Sequence, residues 1–199
     1  MKRNLALGVD IGGTNSVFGL CDEYGKLYFE ESVSTTDYST PEELVDKIYE
    51  RIKSVGHLPN VEGIGIGAPN GNFYSGTIEF APNLKWKGII PLARLFEYKF
   101  KVKTILTNDA NAAAIGEMIY GAGRDLKDFV TITLGTGLGS GVISGGNLIY
   151  GHDGFAGEYG HIRVVPNGRL CGCGRKGCLE TYVSATGMVR SIHELDSKH

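Results

Sequence analysis

Four side chains late in the chain are of metal-binding type: His161, Cys171, Cys173 and Cys178. Three of the chain's 4 cysteines fall within Cys171-Gly-Cys-Gly-Arg-Lys-Gly-Cys178. Three thiolates and an imidazole suit zinc, which takes four tetrahedral N/S ligands. The interspersed glycines let the backbone wrap closely around an ion. A site with all four positions filled by protein is structural, since none is left for water. The competing reading is a disulfide with a spare thiol. If a metal is held there, it fixes a shape and the chemistry lies beside it.

Other residues carry that chemistry. Asp10-Ile-Gly12-Gly13-Thr14 sets an acid at a strand end before a turn of little side-chain bulk. Its N–H groups and the Thr14 hydroxyl can cradle a phosphate. Asp10 can hold magnesium, directly or through water. The text lacks the Lys-Ser/Thr ending of a Walker A loop. It is not a dinucleotide turn either, because a strand follows where a helix is needed. A plain Gly-Gly hairpin turn is the alternative. A second turn, Gly135-Thr136-Gly137-Leu-Gly139, shifts the balance towards phosphate. Asn108-Asp109-Ala-Asn111 opens a helix straight after a buried strand. An Asx N-cap explains one polar residue there and three less well. A carboxylate at that corner can accept a hydroxyl proton, and phosphoryl transfer needs such a base beside magnesium and phosphate-binding dipoles. Glu158, His161 and Glu180 flank the metal ligands and can converge as the hydrogen-bonding groups that sugars require. For Glu180 the alternative is a first-turn acid favoured by its helix dipole.

The elements that must position these groups follow from periodicity. Leu5–Ile11, Ser16–Asp22 and Lys26–Thr35 read as three antiparallel strands in a meander. Thr40-Pro41-Glu42-Glu43 is a capping box with Pro at the first helical position. Leu44, Ile48, Ile52 and Val55 then repeat at helical spacing. Further strands are expected at Glu62–Gly67, Val102–Thr107, Phe129–Leu134, Ser140–Ser144 and Leu148–Tyr150. Helices are expected at Pro91–Tyr98, from Asp109 to Tyr120, and from Glu180 to His193 with Gly187 a weak point. The hairpin at Val9–Thr14 recurs faintly at Thr133–Gly137, each with a buried strand, a Gly/Thr turn and a second strand. This suggests two similar halves facing one ligand. Residues 1–108 would form a small N-terminal α/β lobe, and 109–199 the start of a larger lobe whose remainder is absent.

Composition narrows the class. Glycine accounts for 30 of 199 residues, about 15% against a usual ~7%, and clusters in short turns beside polar residues. A net charge of -2 gives no electrostatic case for nucleic acid or an anionic membrane. No run reaches the ~18 apolar residues of a membrane span. The first apolar run, cut by Asp10, is too short for a signal peptide. Thiols arranged for metal imply a reducing cytoplasm.

On Asp10-Ile-Gly-Gly-Thr14, Gly65-Ile-Gly-Ala-Pro69, Asn108-Asp-Ala-Asn111, Leu134-Gly-Thr-Gly137, Glu158-Tyr-Gly-His161 and the Cys171–Cys178 window, the chain resembles the ROK family (repressor, open reading frame, kinase) of bacterial sugar kinases and sugar-responsive regulators. The resemblance runs nearly end to end. It implies the α/β actin/hexokinase-type (ribonuclease H-like) ATPase fold, two lobes with ATP and sugar in the cleft and the second lobe incomplete here. It implies an ATP-dependent kinase acting on the 6-hydroxyl of a hexose, glucose first, with N-acetylmannosamine, N-acetylglucosamine or fructose as alternatives. Polyphosphate can replace or supplement ATP. By resemblance Asp109 is the general base, and Asn83, Asn108, Glu158, His161 and Glu180 hold the sugar. His161 would place one ring nitrogen on zinc and turn the other to the sugar. Magnesium accompanies the nucleotide, zinc is structural, and the full-length protein is expected to be a homodimer. Family kinases continue beyond this chain's end. The rival readings are a sugar-sensing repressor of the same family, for which the residues ahead of Asp10 leave no room for a DNA-binding helix-turn-helix, and a non-catalytic sugar-binding fragment. Because the phosphate turns are far from the cysteines in sequence, zinc loss is expected to disturb the sugar ligands before the nucleotide site.

Overall fold

The computed structural model describes residues 4–196, and the chain divides into two compact units, Met1–Ala112 and Ala113–His199. In the first, period-two burial along β1 (Leu5–Ile11) turns Leu5, Leu7, Val9 and Ile11 inward and leaves Asp10 on the opposite face. β2 (Asn15–Cys21) and β3 (Leu27–Ser34) continue as an antiparallel meander, as the sequence predicts. In α1 (Pro41–Ser54) the Thr40 hydroxyl accepts the Glu43 N–H while the Glu43 carboxylate accepts the Thr40 N–H. Its Leu44, Val45, Ile48 and Ile52 are buried. Each such side chain contributes about 1.5–3 kcal/mol by leaving water, so this face rather than helix propensity holds α1 on the sheet.

β4 (Val61–Ala68) lies parallel to β1. Three very short strands follow, β5 (Gly71–Asn72), β6 (Thr77–Glu79) and β7 (Ile89–Ile90), forming a small antiparallel sheet that periodicity does not predict. α2 (Leu92–Phe100) ends at Lys101 in the left-handed region, φ 60°. β8 (Lys103–Asn108) pairs parallel to β4 and completes a five-stranded sheet of order β3-β2-β1-β4-β8. α3 (Asp109–Tyr120) begins at the residue after β8 ends. The parallel ends of β1, β4 and β8 therefore lie side by side, with Asp10 opposite Gly67 and Gly67 opposite Thr107.

The second unit holds β9 (Phe129–Leu134), β10 (Leu138–Ser144) and β11 (Asn147–Leu148), antiparallel in the order β11-β10-β9. β9 was expected to be buried, but Val130, Ile132 and Leu134 are 42%, 46% and 55% exposed. β9 is an edge strand, and this face is uncovered among the described residues. The expected single helix from Glu180 is two helices, α4 (Glu180–Val183) and α5 (Ala185–Asp196). The break falls at Ser184 rather than Gly187. Ser184 is extended at φ -66°, ψ 165°, and its buried Oγ accepts the Gly187 N–H at 3.1 Å, which caps α5. Gly187 instead allows close packing, since a Cβ there would sit 2.8 Å from the Thr181 backbone. Among the described residues no helix is long and apolar enough to cross a membrane.

Candidate functional site

In the first unit the turn Gly12-Gly13-Thr14 links β1 to β2. The Gly12 N–H is tied to the Asn15 carbonyl at 3.0 Å. Among the described residues the Gly13 and Thr14 N–H groups have no partner, which leaves two adjacent donors at the mouth of the turn. Asn83 packs directly on this turn: a Cβ on Gly13 would lie 2.7 Å from the Asn83 carbonyl oxygen and 3.4 Å from its Nδ2. Two acids flank Gly67 of β4, Asp10 from β1 and Asp109 from the start of α3. A Cβ on Gly67 would lie 3.8 Å from Asp10 Oδ1 and 3.5 Å from Asp109 Cα. Partial burial, and next the Asp109 charge, raise Asp10 above its ordinary carboxylate range. Asp10 offers the hard carboxylate oxygens that magnesium prefers.

The polar run at the start of α3 divides its labour. Asn108 Oδ1 accepts the Ala110 N–H at 2.9 Å and so caps the helix, as the Asx alternative required. Asp109 is exposed, with Oδ1 2.8 Å from the same N–H. Asn111 is buried, and its Oδ1 is unpaired among the described residues, as is the Thr107 hydroxyl.

In the second unit Gly135-Thr136-Gly137 links β9 to β10 with the same logic. The first glycine's N–H is tied back, to the Gly137 carbonyl at 3.0 Å. The next two N–H groups, of Thr136 and Gly137, have no partner among the described residues. In each unit, then, a three-residue turn between antiparallel strands offers two successive free amides, a small nest for an anionic oxygen.

The metal-type ligands meet. One ligand atom from each of His161, Cys171, Cys173 and Cys178 lies within 4.8 Å of every other. His161 Nδ1 is 3.5 Å from Cys171 Sγ, and Cys173 Sγ is 3.7 Å from Cys178 Sγ. A tetrahedral zinc with ordinary bond lengths needs edges of about 3.5 Å between N and S and about 3.8 Å between two S ligands. The donor set therefore fits zinc in both chemistry and spacing. All four cysteines are free, against the disulfide alternative. Burial pushes the Cys171 thiol up to about 12, while a hydrogen bond from Arg175 holds Cys173 down to about 6. Leu170–Lys176 and Arg163–Cys178 bridges fold the loop on itself.

Glu158, His161 and Glu180 are brought together, as expected. His161 Nε2 is 3.8 Å from Glu158 Oε2, and Nδ1, the nitrogen on the cysteine side, is 3.8 Å from Glu180 Oε1. Glu158 is placed by Gly157, whose φ of 94° and close approach to the Ser140 carbonyl, 2.8 Å from a notional Cβ, admit no side chain. Ser140 Oγ donates to the Gly157 carbonyl and accepts the Tyr159 N–H. Glu180 opens α4, but its carboxylate turns away from a pure first-turn role. The Cys171 thiol donates to Oε1 at 3.0 Å, and the Leu138 N–H reaches Oε2 at 3.3 Å. Glu180 thus links the strand that follows the Gly135–Gly137 turn to Cys171 of the cysteine loop, although the two are far apart in sequence.

One residue escaped sequence reading. Arg169, just before the cysteine window, buries its side chain to 9% exposure. It donates to the carbonyls of Thr181 (2.6 Å) and Gly187 (3.1 Å), to Ser191 Oγ and to Glu194, and stacks over the Tyr182 ring. Nothing in its spacing signals this, because all of its partners lie beyond the loop.

A model described as the ROK family matches residues 6–198. A glucokinase of Streptomyces coelicolor is 44% identical over 94% of this chain and 58% of its own length. Among solved structures, a ROK family glucokinase from Streptomyces griseus in complex with glucose and AMPPNP superposes with a TM-score of 0.80 at 45% identity, covering 94% of this chain and 59% of that one. A ROK hexokinase from Thermus thermophilus gives a TM-score of 0.83 at 32% identity, over 97% of this chain and 64% of that one. The chain thus has the mixed α/β fold of these hexokinase-type structures and spans less than two thirds of each.

Proposed function

The chain belongs to the ROK family, and on that premise we propose that the protein transfers the γ-phosphoryl group of ATP to the 6-hydroxyl of a hexose, with glucose as substrate. The observation that carries this reading is the pair of three-residue turns, each with two successive free amides, in a chain that also sets Asp109 at a strand–helix corner beside Asp10. Support comes from the glucokinase relative and from the glucose and AMPPNP named for the Streptomyces griseus structure.

In this reading the amides of Gly13, Thr14, Thr136 and Gly137 bind nucleotide phosphate oxygens. Asp109 accepts the hydroxyl proton as the sugar O6–phosphorus bond forms and the bond from phosphorus to the bridging oxygen breaks, giving sugar 6-phosphate and ADP. Asn83, Asn108, Glu158, His161 and Glu180 hold the sugar hydroxyls. Asp10 holds magnesium, which offsets negative charge on the transferring phosphates. His161, Cys171, Cys173 and Cys178 hold a structural zinc. The free thiols fit a cytoplasmic setting, and the whole protein is proposed to be a homodimer. A coupled ADP-release assay over glucose, fructose, N-acetylglucosamine and N-acetylmannosamine tests the proposal, on this chain and on any longer native form. Glucose-dependent ADP release is expected. Turnover with another of these sugars at glucose's expense, or with none, rejects it.

A further inference from the structure

We propose that Thr35 is a positioning residue for the Gly12–Thr14 turn, aimed by a buried hydroxyl pair with Ser16, and that the short helix it opens braces this turn and the Asn83 segment together. The inference rests on the reading of this turn as a phosphate site. Its geometry is independent of that reading.

Alternation along β2 turns Ser16 inward beside Phe18 and Leu20. Ser16 is wholly buried and Thr35 is 4% exposed, so their hydroxyls need partners within the protein. Each has the other, with Ser16 Oγ and Thr35 Oγ1 2.7 Å apart. An apolar pair of the same shape would pack about as well, so the hydroxyls supply direction rather than burial. What they aim is the Thr35 backbone. Its N–H donates to the Thr14 carbonyl at 2.7 Å, next to the Asn15–Ser34 pair that ends the β2–β3 ladder. That bond fixes the peptide plane between Thr14 and Asn15. The Gly12 N–H, bonded to the Asn15 carbonyl, closes the turn from the other end. The two amides without a partner among the described residues, of Gly13 and Thr14, lie between these ties. Gly12 and Gly13 have no Cβ to restrict the backbone, so the turn takes its shape from the ties.

Thr35 opens a one-turn 3-10 helix, Thr35–Asp37, which Ser34 steadies: its Oγ is 2.9 Å from Thr36 Oγ1 and donates to Asp37 Oδ1 at 3.0 Å. The same stretch receives the segment that carries Asn83. Lys85 Nζ donates to the Thr36 carbonyl, and the buried Trp86 donates from Nε1 to the Tyr38 carbonyl at 3.3 Å. Asn83 itself packs on the turn, its carbonyl oxygen 2.7 Å from a notional Cβ on Gly13. The phosphate turn and the proposed sugar ligand Asn83 therefore hang from one anchor. Fixing the two relative to each other is the kind of positioning that brings a hydroxyl and a phosphate to reacting distance.

The test uses the 199-residue chain as wild type, Thr35→Val, Thr35→Ser and the double variant Ser16→Ala/Thr35→Val. Nitrogen-15 relaxation without ligand reads the order of the Gly13 and Thr14 amides, with amides of β1 as internal reference. Wild type and Thr35→Ser are expected near the rigid-backbone order parameter of about 0.85, and Thr35→Val towards about 0.6. Thr35→Val also strands the Ser16 hydroxyl and lowers the unfolding midpoint. The double variant removes both hydroxyls, so it is expected to recover that midpoint while the turn stays loose. It separates positioning from stability, and it decides the matter if Thr35→Val fails to fold. Titration with magnesium tripolyphosphate is followed at the same two amides. Affinity is expected to fall by about threefold to tenfold in Thr35→Val and in the double variant, the worth of one hydrogen bond. Wild-type order at Gly13 and Thr14 in the double variant overturns the role of Thr35. So does lowered order with unchanged tripolyphosphate affinity. If these amides in the wild type do not respond to tripolyphosphate, the phosphate reading falls and the role of Thr35 stands or falls on the relaxation data alone.

Discussion

Asp10, near the end of β1, and Asp109, the first residue of α3, flank Gly67 of β4, and partial burial together with the charge on Asp109 raises the proton affinity of Asp10. They come from distant parts of the chain and meet because β4 is threaded between β1 and β8. The register sets Asp10 against Gly67, whose missing side chain opens the space between the two acids.

The raised affinity fixes a sign. A group whose folded pKa lies above its unfolded value of 3.8 stabilises the fold below that value and loses the contribution as pH rises through the folded pKa. At pH 7 the ionised Asp10 is therefore a burden. Asp10→Asn is expected to raise the melting temperature at pH 7, by only about 1–2 °C because the group is part-exposed. The gain should vanish below pH 3.8. Magnesium should stabilise the wild type and leave the variant unmoved. Thermal melts at the two pH values with and without magnesium check this; a gain that persists at low pH contradicts it.

Carefully purified protein should carry one zinc per chain, and Cys178→Ser should lose most of it together with stability, since Cys178 is buried at 1% exposure among its co-ligands. Elemental analysis and thermal melts read both. Absence of zinc, or a Cys–Cys bond in protein prepared under reducing conditions, contradicts the assignment.

Arg169→Met should destabilise the second unit. It leaves the carbonyls of Thr181 and Gly187 without their donor, at about 1–3 kcal/mol for each buried group left unpaired. The ion pair to the exposed Glu194 adds little to that. Arg169→Lys should not restore stability, because an ammonium cannot span both carbonyls and stack on Tyr182. Denaturant unfolding of the three proteins gives the comparison. Full stability in Arg169→Lys contradicts the fork geometry.

How much of this was legible depended on range. The meander, the capping box of α1 and the Asn108 cap are local, and the sequence carries them openly. The cluster of metal-type side chains was legible because such residues are chemically rare and crowded into one window. β5, β6 and β7 are too short to show a period. β9 has the apolar composition of a core strand, but composition does not say what covers a face. Helix propensity marks only Gly187 as a weak point in one continuous helix, whereas Ser184 ends α4 and caps α5 by turning its backbone. The reach of Glu180 to Leu138, and of Arg169 across two helices, spans 42 and up to 25 residues. Such contacts are set by folding and have no signature in spacing.

The central claim is that Asp109 takes the sugar proton during phosphoryl transfer. The most direct measurement pairs ADP release under saturating glucose and ATP with calorimetric glucose binding, for the wild type and Asp109→Asn. The amide keeps the shape of the side chain but cannot accept the proton. The account predicts a fall in turnover of ~10²–10⁴-fold with glucose affinity nearly unchanged. A fall of less than about tenfold, smaller than general-base catalysis is worth, with glucose still bound, would remove Asp109 as the base and contradict the account.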